Sequence, residues 1–148
     1  MDTILVAVDL TDNAAPVLEA AVAQARHLDA KLDVMHVVHH LDGVYGAYVG
    51  GGSMRDLQNE VGEQARKALT ELVDDRLADA GVEVEATLLE GVPWSEIVGR
   101  AVGQRARLLV IGAHVFQKPE HRVLGSTAER VLRQAPCPVL VIPPSLPA

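Results

Sequence analysis

Five short aliphatic segments, separated by stretches with helical periodicity, constrain the fold of this 148-residue chain more than any other feature. They cover residues 3–8, 32–38, 82–88, 108–111 and 138–142. Four are rich in Val, Leu and Ile, which is typical of strands buried on both faces, and the third alternates with polar residues, which indicates an edge strand. Because strands and helices alternate along the chain, we predict a parallel sheet with right-handed crossovers.

Four helices are predicted between these strands. Pro16 suits the first turn of the first helix, the second starts near Ser53, Pro93 opens the third, and residues 127–134 form the fourth. We therefore predict one domain over residues 1–148, an α/β fold with a doubly wound five-stranded parallel sheet in the order 3-2-1-4-5 and helices on both faces. The glycine-rich stretch 39–53 is predicted to be a loop that is either functional or disordered.

Charge and composition exclude several classes of function. The net charge of -7 argues against a nucleic-acid binder and against attraction to anionic membranes. The single cysteine, Cys137, excludes an internal disulfide, and no apolar run approaches the roughly 18 residues of a membrane span. The N-terminus lacks the layout of a signal peptide. We therefore expect a soluble cytoplasmic protein.

A basic stretch between two glycines, residues 112–127, is the strongest candidate for a binding site. Parallel sheets bind ligands at the carboxyl ends of their strands, where the strand order reverses, and here that point lies between Asp9 and Gly112. Gly125, Ser126 and Thr127 precede the fourth helix, whose free backbone N–H groups favour phosphate. The alternative is that Ser126 or Thr127 only caps the helix, and the local pattern alone favours the cap.

The chain resembles the universal stress protein family over nearly its whole length, through the stretches ILVAVDLTDNA, LDVMHVV, LLVIGAHV and VLGSTAERVLRQAPCPVLVIP. Nucleotide-binding members of that family carry a glycine, two residues, a second glycine, nine residues, and then Gly with Ser or Thr. Here the spacing is kept by Gly112, Val115, Gly125 and Ser126, with Val115 in place of the second glycine. The resemblance implies bound ATP or another adenine nucleotide, and leaves open whether a metal accompanies it.

Val115 is the one departure from this motif. A β-branched residue is poorly suited to a close phosphate approach or to positive φ. Lys118, His121 and Arg122 would compensate by supplying charge to the phosphates. The alternative is that these three are solvated side chains of a surface loop.

The resemblance also assigns residues beside the base and the ribose. Asp9 corresponds to the family aspartate near the ribose, although a carboxylate there also suits a turn that bonds the N–H of Thr11 or Asp12. The residues implied for the adenine side, or for the entry to the motif, are apolar: Ala7, Val8, Val37 and Ile111. Without the resemblance these four residues are simply core.

Other chemistries find less support in the sequence. His36, His39, His40 and His114 cluster, but the usual carboxylate or cysteine partners of a metal site are not evident, so no metal site is predicted. No catalytic triad and no general base for hydrolysis is legible, so slow ATP hydrolysis is the most catalysis expected.

The sequence supports two functions from different classes. The first is an ATP-binding regulatory or stress-response protein, and the alternative is a nucleotide-free dimeric scaffold for protein interactions. The resemblance implies a homodimer through the last strand, Pro138 to Ile142, and an aliphatic edge strand suits such pairing.

Overall fold

The computed structural model describes residues 1–40, 54–113, 116–118 and 121–144. Most of the predicted glycine-rich loop, residues 41–53, lies outside them. Along the chain the elements are β1 (Thr3–Ala7), α1 (Ala14–Leu28), β2 (Lys31–His39), α2 (Met54–Leu77), β3 (Val84–Gly91), α3 (Pro93–Gly103), β4 (Leu108–Gly112), β5 (Phe116–Lys118), β6 (His121–Val123), α4 (Ser126–Gln134) and β7 (Val139–Ile142).

The main sheet has five parallel strands in the order β3-β2-β1-β4-β7. This confirms the predicted order 3-2-1-4-5, since β7 is the fifth predicted strand, and it confirms that the alternating third strand lies at an edge. Ala7 is aligned with Met35 on one side and with Ile111 on the other. The carboxyl ends of β1, β2 and β4 therefore meet at the same edge of the sheet.

Helices cover both faces of the sheet, as predicted. On one face α1 and α2 pack over side chains such as Ile4, Val6 and Val34. On the other face α3 and α4 pack over Leu5 and Met35. Strand side chains alternate between the two faces, and both faces are apolar, which is why the strands read as nearly continuous aliphatic segments.

A buried polar group interrupts this aliphatic core. The Asp33 side chain on β2 is 1% exposed. Its carboxylate accepts hydrogen bonds from Thr87 Oγ1 on β3 and from Arg100 Nε on α3, both at 2.8 Å. The three residues join two strands and a helix through one satisfied network, so the carboxylate is buried with its charge compensated.

A hairpin replaces the loop expected between β4 and α4. Strands β5 and β6 pair antiparallel, with Phe116 aligned with Val123. At the base of the excursion, the N–H of Gly125 donates to the carbonyl of Ala113 at 3.1 Å. The basic stretch thus leaves and returns at one point beside the sheet edge.

Candidate functional site

A cavity of about 680 Å³ opens at the carboxyl ends of β1, β2 and β4. Its size is within the range usual for small-molecule sites, which is about 300–1,000 Å³. It lies at the reversal of strand order, the place predicted from the sequence. The lining residues come from the three strand ends, from α1, α3 and α4, and from the end of β7: Ala7, Val8, Asp9, Asn13, Ala14, Val17, His36, Val37, His39, Pro93, Ile97, Ile111, Gly112, Ala113, Thr127, Ala128, Val131, Ile142, Pro143 and Pro144.

Most residues predicted for the site come together in this cavity. The lining includes Ala7, Val8, Asp9, Val37, Ile111, Gly112 and Thr127. Of the described residues predicted for the site, two are not part of the lining. Gly125 is buried at the start of α4, and Ser126 is exposed beside it. Val115 lies outside the described residues, so its role stays a prediction.

The end of β1 turns sharply at the mouth of the cavity. Asp9 Oδ1 accepts hydrogen bonds from the backbone N–H of Thr11 at 3.0 Å and from its hydroxyl at 2.7 Å. Between Asp9 and Thr11, Leu10 has φ 62°, in the left-handed region that residues other than glycine rarely adopt. The turn expected as one role of Asp9 is therefore present, and its contact with a ribose remains a prediction.

The end of β2 provides a second polar edge. The N–H of Val8 donates to the carbonyl of Met35 at 2.9 Å. His36 Nδ1 then lies 2.7 Å from the carbonyl oxygen of Val8. Both main-chain polar groups of Val8 are thus held by β2, one by the backbone and one by an imidazole.

Three helices begin at the cavity. Asn13 and Ala14 at the start of α1, Pro93 at the start of α3 and Thr127 in the first turn of α4 all line it. First-turn backbone N–H groups carry partial positive charge, so this end of the domain favours a bound anion.

The start of α4 differs from the cap that the local sequence favoured. Gly125 is the N-cap residue, and no side-chain hydrogen bond caps the helix. Ser126 and Thr127 are the first two helical residues, so the prediction that one of them caps the helix is wrong. The physical reason is that the bond from Gly125 N–H to Ala113 fixes where the chain can turn into the helix. The alternative, that this helix start binds phosphate, stays a prediction.

The wall on the α3 and α4 side is apolar. Ile97 and Val131 line the cavity together with Val37 and Ile111, and the four belong to one buried apolar cluster. On the same two helices, the Arg130 guanidinium carbon lies 5.5 Å from the centroid of the Trp94 ring, a contact that links α4 to α3. An apolar slot beside polar strand ends suits a flat heteroaromatic group.

Metal and thiol chemistry find little in the described part of the chain. Within it no group of three or more His, Cys, Asp or Glu side chains could hold a metal ion. His40 Nδ1 bonds Glu90 Oε1 at 2.8 Å, and both side chains are exposed. Burial raises the pKa of the Cys137 thiol, so the inert state of this residue is favoured. In the same part of the chain no helix has the length and apolar character that a membrane crossing needs.

Sequence reasoning missed the residues that reach the cavity from helices. Val17, Ile97 and Val131 have the spacing of ordinary core positions, and Pro93 has the spacing of an ordinary helix start. The signal that could have found Pro93 is that helices of this topology all begin at the carboxyl edge of the sheet. The sequence indicates His36 only as a candidate metal ligand, because its bond to Val8 joins residues 28 positions apart.

Comparison with known proteins agrees with this architecture. The family model described as the universal stress protein family matches residues 1–143. Universal stress protein YxiE of Bacillus subtilis is 31% identical over 145 residues, covering 93% of this chain and 96% of that protein. UspA of Lactobacillus plantarum has a TM-score of 0.78 at 28% identity, over 95% of this chain and 97% of that one. A universal stress protein from Archaeoglobus fulgidus, solved in complex with dAMP, has a TM-score of 0.69 at 28% identity, over 96% and 98% of the two chains.

Proposed function

Because the chain belongs to the universal stress protein family, we propose that it binds an adenine nucleotide, ATP in particular, in the cavity at the carboxyl edge of its sheet. We place this activity in the cytoplasm and assign it to regulation under stress rather than to catalysis. The observation that carries the proposal is the convergence of an apolar slot, an acidic strand end and three helix starts on one cavity of about 680 Å³.

The main chain of Val37 suits the recognition of adenine. The pairing of β1 with β2 stops at Ala7 and Met35, while β2 continues to His39. Alternate residues of a strand direct their main-chain groups to the same side, so the N–H and carbonyl of Val37 face the space beyond the end of β1. Adenine has an acceptor ring nitrogen beside a donor amino group, which is complementary to one N–H and one C=O.

Residues that could bind the ribose and the phosphates lie farther along the carboxyl edge of the sheet. Asp9 lies at the end of β1, where a carboxylate can accept ribose hydroxyls. The phosphates would then extend past Gly112 toward Gly125, Ser126 and Thr127, at the start of α4. The free backbone N–H groups of a helix start favour phosphate. The dAMP complex of the related Archaeoglobus fulgidus protein supports an adenine nucleotide as the ligand class.

Gly112 gives independent support to phosphates that pass the end of β4. A Cβ atom built at Gly112 lies 3.4 Å from Val17 Cγ2, an ordinary contact, and its φ is not in the left-handed region. The packing of the described residues therefore does not itself require glycine at the end of β4. A phosphate approaching the backbone supplies the reason for glycine there.

Mass spectrometry of the denatured, purified protein, followed by calorimetric titration of nucleotide-free protein with ATP, tests the proposal. We expect adenine nucleotide to be released and ATP to bind with a change in the emission of Trp94, the only tryptophan. The absence of copurified nucleotide, together with the absence of heat at millimolar ATP, would contradict the proposal.

A nucleotide-free dimeric scaffold is the second candidate function, and the edge strand β7 favours it. Among the described residues, Val139–Ile142 pairs with β4 alone, and its four residues are half-buried. We propose that a second copy pairs along this strand, with no part for nucleic acid or a membrane. Light scattering that finds only a 15.8 kDa species at micromolar concentration would contradict the dimer.

A further inference from the structure

His36 makes a contact that the regular pairing of its strand does not require. Its ring Nδ1 lies 2.7 Å from the carbonyl oxygen of Val8. A carbonyl oxygen only accepts hydrogen bonds, so Nδ1 carries the proton and donates it. The contact therefore fixes the tautomer of the neutral ring and leaves Nε2 as an acceptor.

The bond between His36 and Val8 lies where the backbone pairing of β1 with β2 ends. The N–H of Val8 donates to Met35, which is the last backbone bond of the ladder. Regular parallel pairing would continue from the N–H of Val37 to the carbonyl of Val8. No backbone bond of that kind occurs among the described residues, and the imidazole binds the carbonyl there.

We propose that His36 is a positioning residue for base recognition. By binding the Val8 carbonyl, it ends the ladder one step early and keeps the main-chain N–H and carbonyl of Val37 available to a ligand in the cavity. This inference rests on the proposed function, since it assigns the base-recognising edge of the same site. It predicts that His36 governs which base is bound, acting through Val37 without touching the phosphates.

The same bond holds the chain before the Asp9 turn. Leu10 adopts φ 62°, and such a conformation persists only where the surrounding structure fixes it. Val8, two residues earlier, is anchored through both of its main-chain polar groups. His36 therefore also helps to fix the position of Asp9, whose carboxylate accepts two hydrogen bonds from Thr11.

Two substitutions at His36 separate these roles from simple packing. His36→Leu removes the donor, whereas His36→Asn keeps an N–H near the place of Nδ1 and removes the rest of the ring. His27→Leu, at an exposed position in the last turn of α1, is the matched control. The affinity of each variant for ATP and for GTP is measured by calorimetry.

We expect wild type to prefer ATP over GTP, because guanine presents a donor and an acceptor in the opposite order along the same edge. His36→Leu should weaken ATP binding by about tenfold to a hundredfold, the effect of one lost buried hydrogen bond, and should reduce the ATP-to-GTP preference. His36→Asn should stay within about threefold of wild type on the same scale, and His27→Leu should match wild type. Equal losses for both nucleotides in His36→Leu, or no loss, would overturn the inference.

Long-range ¹⁵N–¹H correlation of the wild-type protein gives a readout that needs no variant to fold. We expect the His36 ring to show a proton on Nδ1, and a proton on Nε2 alone would overturn the positioning contact. A wild-type protein that binds no nucleotide would overturn the proposed function instead. The inference about His36 fails separately, when wild type binds ATP and His36→Leu keeps the preference for adenine.

Discussion

Arg100 on α3 donates its Nε–H to the carboxylate of Asp33 at 2.8 Å, inside the packing of α3 against β2 and β3. Asp33 is 1% exposed and Arg100 22% exposed, so the helix holds a charge in place within an otherwise aliphatic layer. Neither residue lines the cavity, and the role of the pair is to fix how α3 lies on the sheet.

Arg100→Met should therefore destabilise the domain strongly. Removing the arginine leaves the buried carboxylate of Asp33 without an opposite charge, which costs about 3 kcal/mol of unfolding free energy. Arg107→Met is the matched control, because Arg107 pairs with Asp2 at 2.6 Å where both side chains are about half exposed, and its cost should stay under about 1 kcal/mol. Urea unfolding of the two variants measures the difference, and equal costs would contradict the assigned role of Asp33.

Val115→Gly should tighten ATP binding, if Val115 sits in a strained conformation in the phosphate loop. Such strain costs about 1–3 kcal/mol, which corresponds to roughly tenfold to a hundredfold in affinity. Calorimetry measures the gain. A wild type that gives no heat with millimolar ATP, together with a Val115→Gly variant that restores none, would show that the basic hairpin serves another partner.

Gly125→Val should remove ATP binding while the fold is largely kept. Gly125 has φ -59° and ψ 153°, a backbone conformation that any residue can adopt, so valine causes no backbone strain there. Its effect comes from the volume of its side chain at the buried start of α4. Circular dichroism checks the fold and calorimetry the binding. Retained ATP affinity in a folded Gly125→Val variant would exclude this helix start from the site.

Gly112→Ala should separate ligand binding from stability. The new methyl group meets Val17 at an ordinary contact distance of 3.4 Å, so thermal unfolding should change little, by under about 1 kcal/mol. ATP binding should weaken if the nucleotide approaches the backbone at the end of β4. Unchanged affinity would place the phosphates elsewhere along the edge.

Arg105→Gly should stabilise the protein. Arg105 follows the end of α3 with φ 49°, and its N–H donates to Val102 while the N–H of Ala106 donates to Ala101, the pattern of a helix end that glycine favours. Relief of this conformation is worth about 0.5–1 kcal/mol at an exposed position.

Gln104→Gly is the control for this substitution. Gln104 precedes Arg105 and has φ -84°, so glycine there brings only added flexibility and should destabilise by about 0.5–1 kcal/mol. Chemical unfolding distinguishes the two opposite signs. A destabilising Arg105→Gly would mean that the arginine side chain contributes more than the strain removes.

Cys137 should react slowly with iodoacetamide. Burial raises the pKa of its thiol, so the thiolate forms at higher pH in the folded protein than in the unfolded chain. The stability that the neutral thiol contributes is present below the unfolded pKa and is lost as the pH rises through the folded pKa. A midpoint of alkylation against pH at or below that of N-acetylcysteine would contradict this.

The sequence by itself determined the architecture of this protein. Aliphatic segments that alternate with helical periods fix a parallel sheet, and the proline at position 93 fixes a helix start, because such preferences act within a few residues along the chain. The carboxyl ends of β1 and β4 follow from the same local preferences, so the sequence alone predicts that Asp9 and Gly112 lie at one crevice, and both line the cavity.

Only the tertiary structure decided which groups complete the site and the core. Asp33 meets Arg100 across 67 residues, and His36 meets Val8 across 28. The start of α4 at Ser126 depends on a bond between Gly125 and Ala113 at the base of a hairpin. Local sequence could not reveal these features, because each depends on a hydrogen-bond partner that only folding brings within 3.1 Å, and such partners outweigh the weak local preferences of a capping serine or a surface loop.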